Sequence, residues 1–303
     1  MKYAVVGTGA IGGYFGAKLA KAGNEVHFLL HSDYEYVCEH GLQVNSHQGD
    51  FHLNQVNAYN QTCQMPQVDA VIVGLKTINN HLLKELLPPL IGPETVVILI
   101  QNGLGVEDDV QEMFPGVPLI AGLAFICSAK TQPGTIDHQF YGSINLGNYS
   151  CKDELRFQQI VADFQAADVP TNVIEYHEAR WRKAVWNMPF NGMTVAMNCQ
   201  TNDLLAQPQM RDIIHRQMLE VIHAAWACGV KTIGEDYADT MIQFTLDMVP
   251  YSPSMKLDYD FKRPMEVEYL YTRPLQMAHQ NGFSMPLLEM LEAQLLMINQ
   301  KVK

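Results

Sequence analysis

The second half of the chain carries a lysine and two asparagines whose spacing predicts one shared helix face. Lys183, Asn187 and Asn191 stand at i, i+4 and i+8 in a helical pattern, so they project from the same side. A lysine in a dry site can donate a proton and stabilise a developing negative charge, with its pKa lowered by burial. Asparagine amides one turn away can hold a carbonyl group in line. On an arbitrary helix the same stripe is more simply explained by a solvated lysine and by asparagines that bond the backbone.

A glycine-rich turn near the start of the chain favours a catalytic role for Lys183 over a solvated one. The apolar run Met1–Val6 predicts a buried strand, and a helix-like stretch and a second apolar run follow the turn. Gly7 would permit a tight turn, Gly9 the close approach of a pyrophosphate, and Gly12 close packing of helix on strand. N–H groups at the helix start would hold the phosphates. The complete turn reads Gly7, Thr8, Gly9, Ala10, Ile11 and Gly12.

The two features together predict a defined chemistry. A dinucleotide-binding fold supplies a hydride, and hydride transfer to a ketone leaves an alkoxide that needs a proton and a nearby positive charge. Lys183 can provide both. The sequence therefore favours an enzyme that reduces a ketone over a helix with a solvated lysine.

Alternating strand and helix patterns predict the fold that positions these residues. Four further strands are expected at Val26–Leu30, Val68–Leu75, Thr95–Ile100 and Leu119–Ile126. Gly134–His138 and Ser143–Leu146, separated by Tyr141-Gly142, predict an antiparallel hairpin. The pattern indicates an α/β class, with a Rossmann-type, doubly wound and mainly parallel sheet.

Helical patterns replace strands in the second half of the chain. They predict helices at Glu178–Met197, Gln209–Cys228, Tyr237–Met248, Met265–Gln280 and Leu287–Asn299. We therefore expect two domains, a dinucleotide-binding domain over residues 1–176 and an all-helical substrate domain over residues 177–303.

Composition restricts the partners and the compartment. The net charge of −12 over 303 residues argues against nucleic acid or an anionic membrane surface as a partner. Six scattered cysteines without a C-x-x-C pair indicate a reducing compartment, and no apolar run is long enough to span a bilayer. The expected protein is cytoplasmic, with no signal peptide, and a monomer or a homodimer. His47 and His52 flank a predicted hairpin turn as solvated side chains, so no metal site is expected.

Motifs spread along nearly the whole chain resemble the ketopantoate reductase (2-dehydropantoate 2-reductase) family. The helix segment from Trp181 to Asn191 matches its W-R-K-x-x-x-N-x-x-x-N motif, and the glycine turn matches its G-x-G-A-x-G. Further matches are Leu75-Lys76, the turn Gln101–Gly105, and the late residues Ser254-Met255, Asp258, Arg263-Pro264 and Glu266. The resemblance implies NADPH-dependent reduction of 2-dehydropantoate (ketopantoate) to pantoate, a step of pantothenate biosynthesis, with a 2-keto acid as the substrate.

The resemblance also implies roles for individual residues. Lys183 would be the general acid, and Glu266 would position it and bind the substrate hydroxyl group. The residues that hold the substrate would be Asn187, Asn191 and Ser254.

Cofactor contacts follow from the same comparison. Asn102 would sit by the nicotinamide, next to the substrate, and Lys76 would face the cofactor phosphates or ribose. The family usually has an arginine after the second strand to bind the 2′-phosphate of NADPH, and this chain has His31 followed by Ser32. These donors, with the charge of Lys76, predict a preference for NADPH. Asp33 lies close enough to keep NAD open as an alternative.

Several other functions remain compatible with the sequence. A relative of the family could reduce another 2-keto acid, and β-hydroxyacid or glycerol-3-phosphate dehydrogenases also use a K-x-x-x-N helix face. His177 is an alternative acid of the lactate dehydrogenase type. A protein that senses NADP(H) without turnover belongs to a different class, and it would not need Lys183, Asn187 and Glu266 together. Assaying cofactor oxidation over a panel of 2-keto acids separates these functions.

Overall fold

The contacts of the chain divide it into two units, in a computed structural model that describes residues 1–301. The first unit consists of Met1–Gln101 and Val106–Tyr176, and the second of Asn102–Gly105 and the chain from His177 onward. The turn Asn102–Gly105, which the sequence places in the first domain, is part of the second unit. It joins the second unit because the backbone N–H of Leu104 donates to the carbonyl of Tyr269 at 3.0 Å.

One ten-stranded sheet forms the first unit. Its strands are β1 (Lys2–Val6), β2 (Glu25–Leu29), β3 (Leu42–Ser46), β4 (Phe51–Leu53), β5 (Asn57–Tyr59), β6 (Val68–Val73), β7 (Ile91–Leu99), β8 (Leu119–Gln132), β9 (Thr135–Asn148) and β10 (Thr171–Val173). The strand order is β4-β3-β9-β8-β7-β6-β1-β2-β5, and β10 pairs with β9. Among the strands of residues 1–301, only β3–β4 and β8–β9 pair antiparallel. The predicted mainly parallel, Rossmann-type sheet is confirmed.

Helices connect the strands of this sheet. They are α1 (Ala10–Lys21), α2 (Tyr34–His40), α3 (Leu83–Leu86), α4 (Val106–Met113) and α5 (Glu154–Ala166), with 3-10 turns at Thr62–Gln64 and Thr77–Leu82. The core of the unit contains aromatic side chains of α1 and α5, among them Tyr14, Phe15 and Phe164. Because Tyr3–Val6 of β1 are buried and paired with both neighbouring strands, the turn that follows is fixed at the end of a central strand.

The hairpin predicted around Tyr141-Gly142 is wrong. Both of its segments lie in the single strand β9, which pairs antiparallel with β8. Tyr141 and Gly142 have positive φ angles of 65° and 108°, and the register shifts there, so the two residues form a bulge. The chain turns instead at Gly134, at the other end of β9.

The second unit is helical. Its helices are α6 (Tyr176–Ala196), α7 (Thr201–Ala206), α8 (Pro208–Ala227), α9 (Asp236–Leu246), α10 (Ser254–Asp260), α11 (Arg273–Gln280) and α12 (Pro286–Gln300). Apolar side chains from most of them form one core, in which Trp181, Phe190 and Tyr271 are the largest fully buried members. Within residues 1–301, no helix is both long enough and apolar enough to cross a bilayer.

The helix predicted at Met265–Gln280 is shorter and irregular. Residues Glu268–Thr272 form a π-helical turn, and the regular α11 begins only at Arg273. Pro274 has no N–H to donate to the carbonyl of Leu270, so an α-helical pattern cannot continue through this point without a defect. Such π turns occur frequently at functional sites.

Candidate active site

Close contacts explain why glycines occupy two positions of the turn after β1. A Cβ on Gly7, whose φ is +97°, would lie 2.5 Å from the backbone nitrogen of Leu75, and one on Gly12 would lie 2.4 Å from the Gly7 carbonyl oxygen. Gly9 differs, because no heavy atom lies within 4 Å of its ideal Cβ position. A side chain at Gly9 would therefore enter open space beside the turn, and its absence leaves that space for a ligand.

The start of α1 is suited to hold an anion. Gly9 is the N-cap of this twelve-residue helix, and no side chain caps it. Ala10 and Ile11 form the first turn, where backbone N–H groups and the helix dipole favour a phosphate. Thr8 is buried and its hydroxyl donates to the Leu29 carbonyl at 2.8 Å, which fastens the turn to the end of β2. The turn thus has the shape and the donors that a pyrophosphate requires.

Loops on both sides of the turn bring the other predicted cofactor residues to the same edge of the sheet. Strand β1 pairs in parallel with β2 and with β6, so the carboxyl ends of the three strands are adjacent. His31 and Ser32 follow β2 and are exposed. Lys76 follows β6 and is half-buried. Dinucleotides bind at this edge in doubly wound sheets.

A pocket in the second unit contains Lys183 and Asn187 on the face of α6. It is narrow, with a cavity volume of about 10 Å³. The residues that line it are Gly103, Leu104, Arg180, Lys183, Ala184, Asn187, Met188 and Leu270. The helix face that Lys183 and Asn187 share therefore forms one wall of this pocket. Asn102 immediately precedes Gly103 and Leu104, which form another part of the lining.

Burial and a neighbouring cation make the Lys183 amine unusually acidic. Burial is the larger effect, the positive charge of Arg180 adds to it, and the negative charge of Glu266 opposes it; together they lower the pKa of Lys183 to about 7. Arg180 and Glu266 are themselves buried, with 4% and 8% of their surface exposed. A lysine with such a pKa is charged about half the time near neutral pH, so it can both donate and regain a proton.

The π-helical turn Glu268–Thr272 connects three parts of this site. Glu266 stands just before it, and the carbonyl of Tyr269 accepts the N–H of Leu104 in the pocket wall. The hydroxyl of Tyr271 donates to the carbonyl of Met188 at 2.6 Å, one residue before Pro189 in α6. The turn therefore fixes the Lys183 helix, the Gly103-Leu104 wall and Glu266 relative to one another.

Both polar atoms of the Asn191 side chain form hydrogen bonds with protein backbone. Its Oδ1 accepts the backbone N–H of Met255 at 3.0 Å, and its Nδ2 donates to the Asn187 carbonyl at 3.0 Å. Ser254, the first residue of α10, is exposed beside this contact. The α6 helix continues through Pro189 to Ala196, so Asn191 stays on the helix that carries Lys183.

Sequence reasoning missed Arg180 and the π turn. Arg180 stands at i−3 from Lys183, so helical spacing alone could have placed it on the same face, but its burial depends on the packing of the whole unit. His177, the alternative acid, is exposed at the start of α6 and does not line the pocket. Among residues 1–301, no group of three or more His, Cys, Asp or Glu side chains is placed to hold a metal ion.

In comparisons with known proteins, both units match the same family. The family model "Ketopantoate reductase PanE/ApbA" matches residues 3–150, and its C-terminal counterpart matches residues 175–299. A 2-dehydropantoate 2-reductase of Nostoc sp. is 46% identical over 97% of this chain and 94% of its own length. The crystal structure of 2-dehydropantoate 2-reductase from Geobacter metallireducens has a TM-score of 0.95 at 39% identity and covers 98% of this chain and 99% of that one. A D-mandelate dehydrogenase in complex with NADH and anilino(oxo)acetate shares the fold, with a TM-score of 0.90 at 21% identity over 100% of this chain and 99% of that one.

Proposed function

The chain belongs to the ketopantoate reductase family, and from this premise we propose that it reduces 2-dehydropantoate to pantoate with NADPH, a step in pantothenate synthesis. The observation that carries the proposal is the pocket lined by Lys183, Asn187 and the buried Arg180. The pKa of Lys183 is lowered there to about 7, and the negative charge of the buried Glu266 acts on it. This combination provides a proton donor, an amide and a charged wall for a small keto acid.

The glycine turn provides the place for the cofactor. Gly9 leaves open space beside the uncapped start of α1, where the N–H groups would hold the pyrophosphate. His31, Ser32 and Lys76, on loops at the same edge of the sheet, would contact the adenosine end and the phosphates. When bound, NADPH supplies the hydride for the ketone carbon.

Lys183 is the proton donor for the carbonyl oxygen of the substrate. Its protonated amine also stabilises the negative charge that develops on that oxygen. Glu266 attracts the protonated form, as its effect on the pKa of Lys183 indicates, and so keeps the amine charged and in place. The buried positive charge of Arg180 acts in the opposite direction and makes the proton easier to release.

Each substrate contact is assigned from the charge or the hydrogen-bonding groups of the side chain. Arg180 is the buried cation of the pocket wall and would bind the carboxylate of the keto acid, since a guanidinium pairs well with a planar carboxylate. Asn187 would orient the carbonyl group, and Ser254 would contact the hydroxyl end of the substrate. Asn191 would act indirectly, because its bonds to Met255 and to the Asn187 carbonyl hold both of these neighbours.

A kinetic assay on the purified protein tests the proposal. NADPH consumption is followed with ketopantoate, other 2-keto acids and mandelate-type keto acids, and ketopantoate is expected to give the highest kcat/KM. Lys183→Ala is expected to lose activity by about 10²–10⁴-fold, the usual contribution of a general acid. It should still bind NADPH, because the glycine turn is untouched. Near-normal turnover by Lys183→Ala would rule out this mechanism, and a lack of turnover with every keto acid would favour a sensor of NADP(H).

The compartment and the assembly are part of the same proposal. None of the six cysteines, which lie within the described residues, forms a disulfide, and this agrees with the cytoplasmic location that we propose. We expect a monomer or a homodimer, which sedimentation equilibrium distinguishes directly.

A further inference from the structure

Lys130, near the end of β8, contacts two groups beside the end of β2. Its Nζ lies 2.5 Å from Oδ2 of Asp33 and donates to the carbonyl of Thr8 at 3.3 Å. The same carboxylate oxygen accepts the backbone N–H of Gly134 at 3.2 Å. Asp33 is only 3% exposed. Asp33 is therefore covered by the turn between β8 and β9, and Lys130 neutralises its negative charge.

This arrangement removes an acidic residue from nucleotide recognition. In Rossmann-type domains, an Asp or Glu after the second strand accepts the ribose hydroxyls of NAD and repels the 2′-phosphate of NADPH. Asp33 follows β2 at nearly that position, but its carboxylate is buried and paired with Lys130. Its charge is thus neutralised before any cofactor arrives.

Lys130 is the accessible member of the pair. Its side chain is 28% exposed, against 4% for the side chain of Asp33, so an approaching anion meets the ammonium group first. An ammonium has three N–H donors, and Asp33 and the Thr8 carbonyl account for two of them. Thr8 is itself bonded to Leu29 at the end of β2, which places the Lys130 amine beside both the glycine turn and the His31-Ser32 loop.

We propose that Lys130 determines the preference for NADPH, by neutralising Asp33 and by donating its remaining N–H to the 2′-phosphate. It supplies from β8 the positive charge that the family usually supplies with an arginine at the position of His31. This inference rests on the proposed function only in taking NADPH as the cofactor. It does not depend on which keto acid is reduced.

Binding of cofactor fragments tests the role of Lys130 without turnover. The full-length chain is titrated by calorimetry with 2′,5′-ADP, which carries the 2′-phosphate, and with 5′-AMP, which does not. For Lys130→Met we expect the Kd of 2′,5′-ADP to rise about 10-fold or more, as the loss of a hydrogen bond to a charged group implies. The Kd of 5′-AMP should stay within about 3-fold of the wild-type value. Lys152→Met, at an exposed lysine of the same unit, is the matched control and should leave both Kd values unchanged.

A double variant separates direct contact from charge neutralisation and from misfolding. Lys130→Met leaves a buried carboxylate without its cation, whereas Lys130→Met/Asp33→Asn removes that charge and keeps an acceptor for Gly134. The double variant should fold normally by circular dichroism and still bind 2′,5′-ADP about 10-fold more weakly than the wild type. Wild-type binding by the double variant, or an equal loss for both ligands in Lys130→Met, would overturn the direct contact. If the wild type itself binds 2′,5′-ADP no better than 5′-AMP, the assignment of NADPH is wrong and the role of Lys130 with it.

Discussion

The side-chain amide of Asn191 joins helix α6 to the first turn of α10, because its Oδ1 accepts the backbone N–H of Met255 at 3.0 Å. Its Nδ2 donates at the same time to the carbonyl of Asn187, one turn earlier in α6. Asn191 is 2% exposed, so water does not compete for these bonds. The position of Ser254, the residue before Met255, therefore depends on Asn191.

Replacing Asn191 should affect stability and substrate binding together. Asn191→Ala leaves the buried N–H of Met255 without an acceptor, which costs about 1–3 kcal/mol in the free energy of unfolding. Ser254 would shift, so the KM for the keto acid should rise more than kcat falls. Urea denaturation and steady-state kinetics measure the two effects, and Asn202→Ala, at an exposed site of the same unit, is the control. A destabilised Asn191→Ala with an unchanged KM would restrict Asn191 to a structural role.

Local spacing made the glycine turn and the Lys183 face predictable. Gly7 and Gly9 lie between β1 and α1, and Gly12 lies in the first turn of α1. Lys183 and Asn187 are one helical turn apart. In both cases the geometry follows from the period of a single element, which the sequence shows directly.

Features that depend on distant partners were not predictable. The bond between Leu104 and Tyr269 joins residues 165 positions apart, and it moves the Asn102–Gly105 turn into the helical unit. The bulge at Tyr141-Gly142 is recognised only from its pairing with β8, since the same residue types also favour a hairpin turn. The sequence does not indicate the role of Lys130, because that role depends on its contact with Asp33.

Glycine substitutions should separate cofactor binding from folding. Gly9→Ala adds a methyl group where no heavy atom lies within 4 Å, so the free energy of unfolding should change by less than about 1 kcal/mol. The same methyl group occupies the space beside the pyrophosphate site, and NADPH affinity should fall at least about 10-fold. Gly12→Ala instead meets the Gly7 carbonyl at 2.4 Å and should lower the thermal midpoint. Fluorescence titration with NADPH and thermal melts give the two readouts. Unchanged NADPH binding by Gly9→Ala would argue against this site.

The rate should depend on pH through Lys183. Its pKa of about 7 means that the amine is protonated below neutral pH and loses its proton as the pH rises. Because the protonated amine is the donor, kcat/KM should decrease above about pH 7, by about tenfold per pH unit well above the pKa. Lys183→Arg keeps its charge at every accessible pH, so its residual activity should lack this decrease. A wild-type profile that stays flat to pH 9 would mean that another group donates the proton.

Arg180 and Glu266 should move this pH dependence in opposite directions. The positive charge of Arg180 lowers the pKa of Lys183, so Arg180→Met should shift the decrease in kcat/KM to higher pH. The negative charge of Glu266 raises that pKa, and Glu266→Gln should therefore shift the decrease to lower pH. Arg180→Met should also raise the KM for the keto acid, since it removes the cation assigned to the substrate carboxylate. Arg182→Met is the matched control, because Arg182 pairs with Glu178 at 2.6 Å and does not line the pocket. Shifts of the same sign in Arg180→Met and Glu266→Gln would contradict an electrostatic control of Lys183 by these two charges.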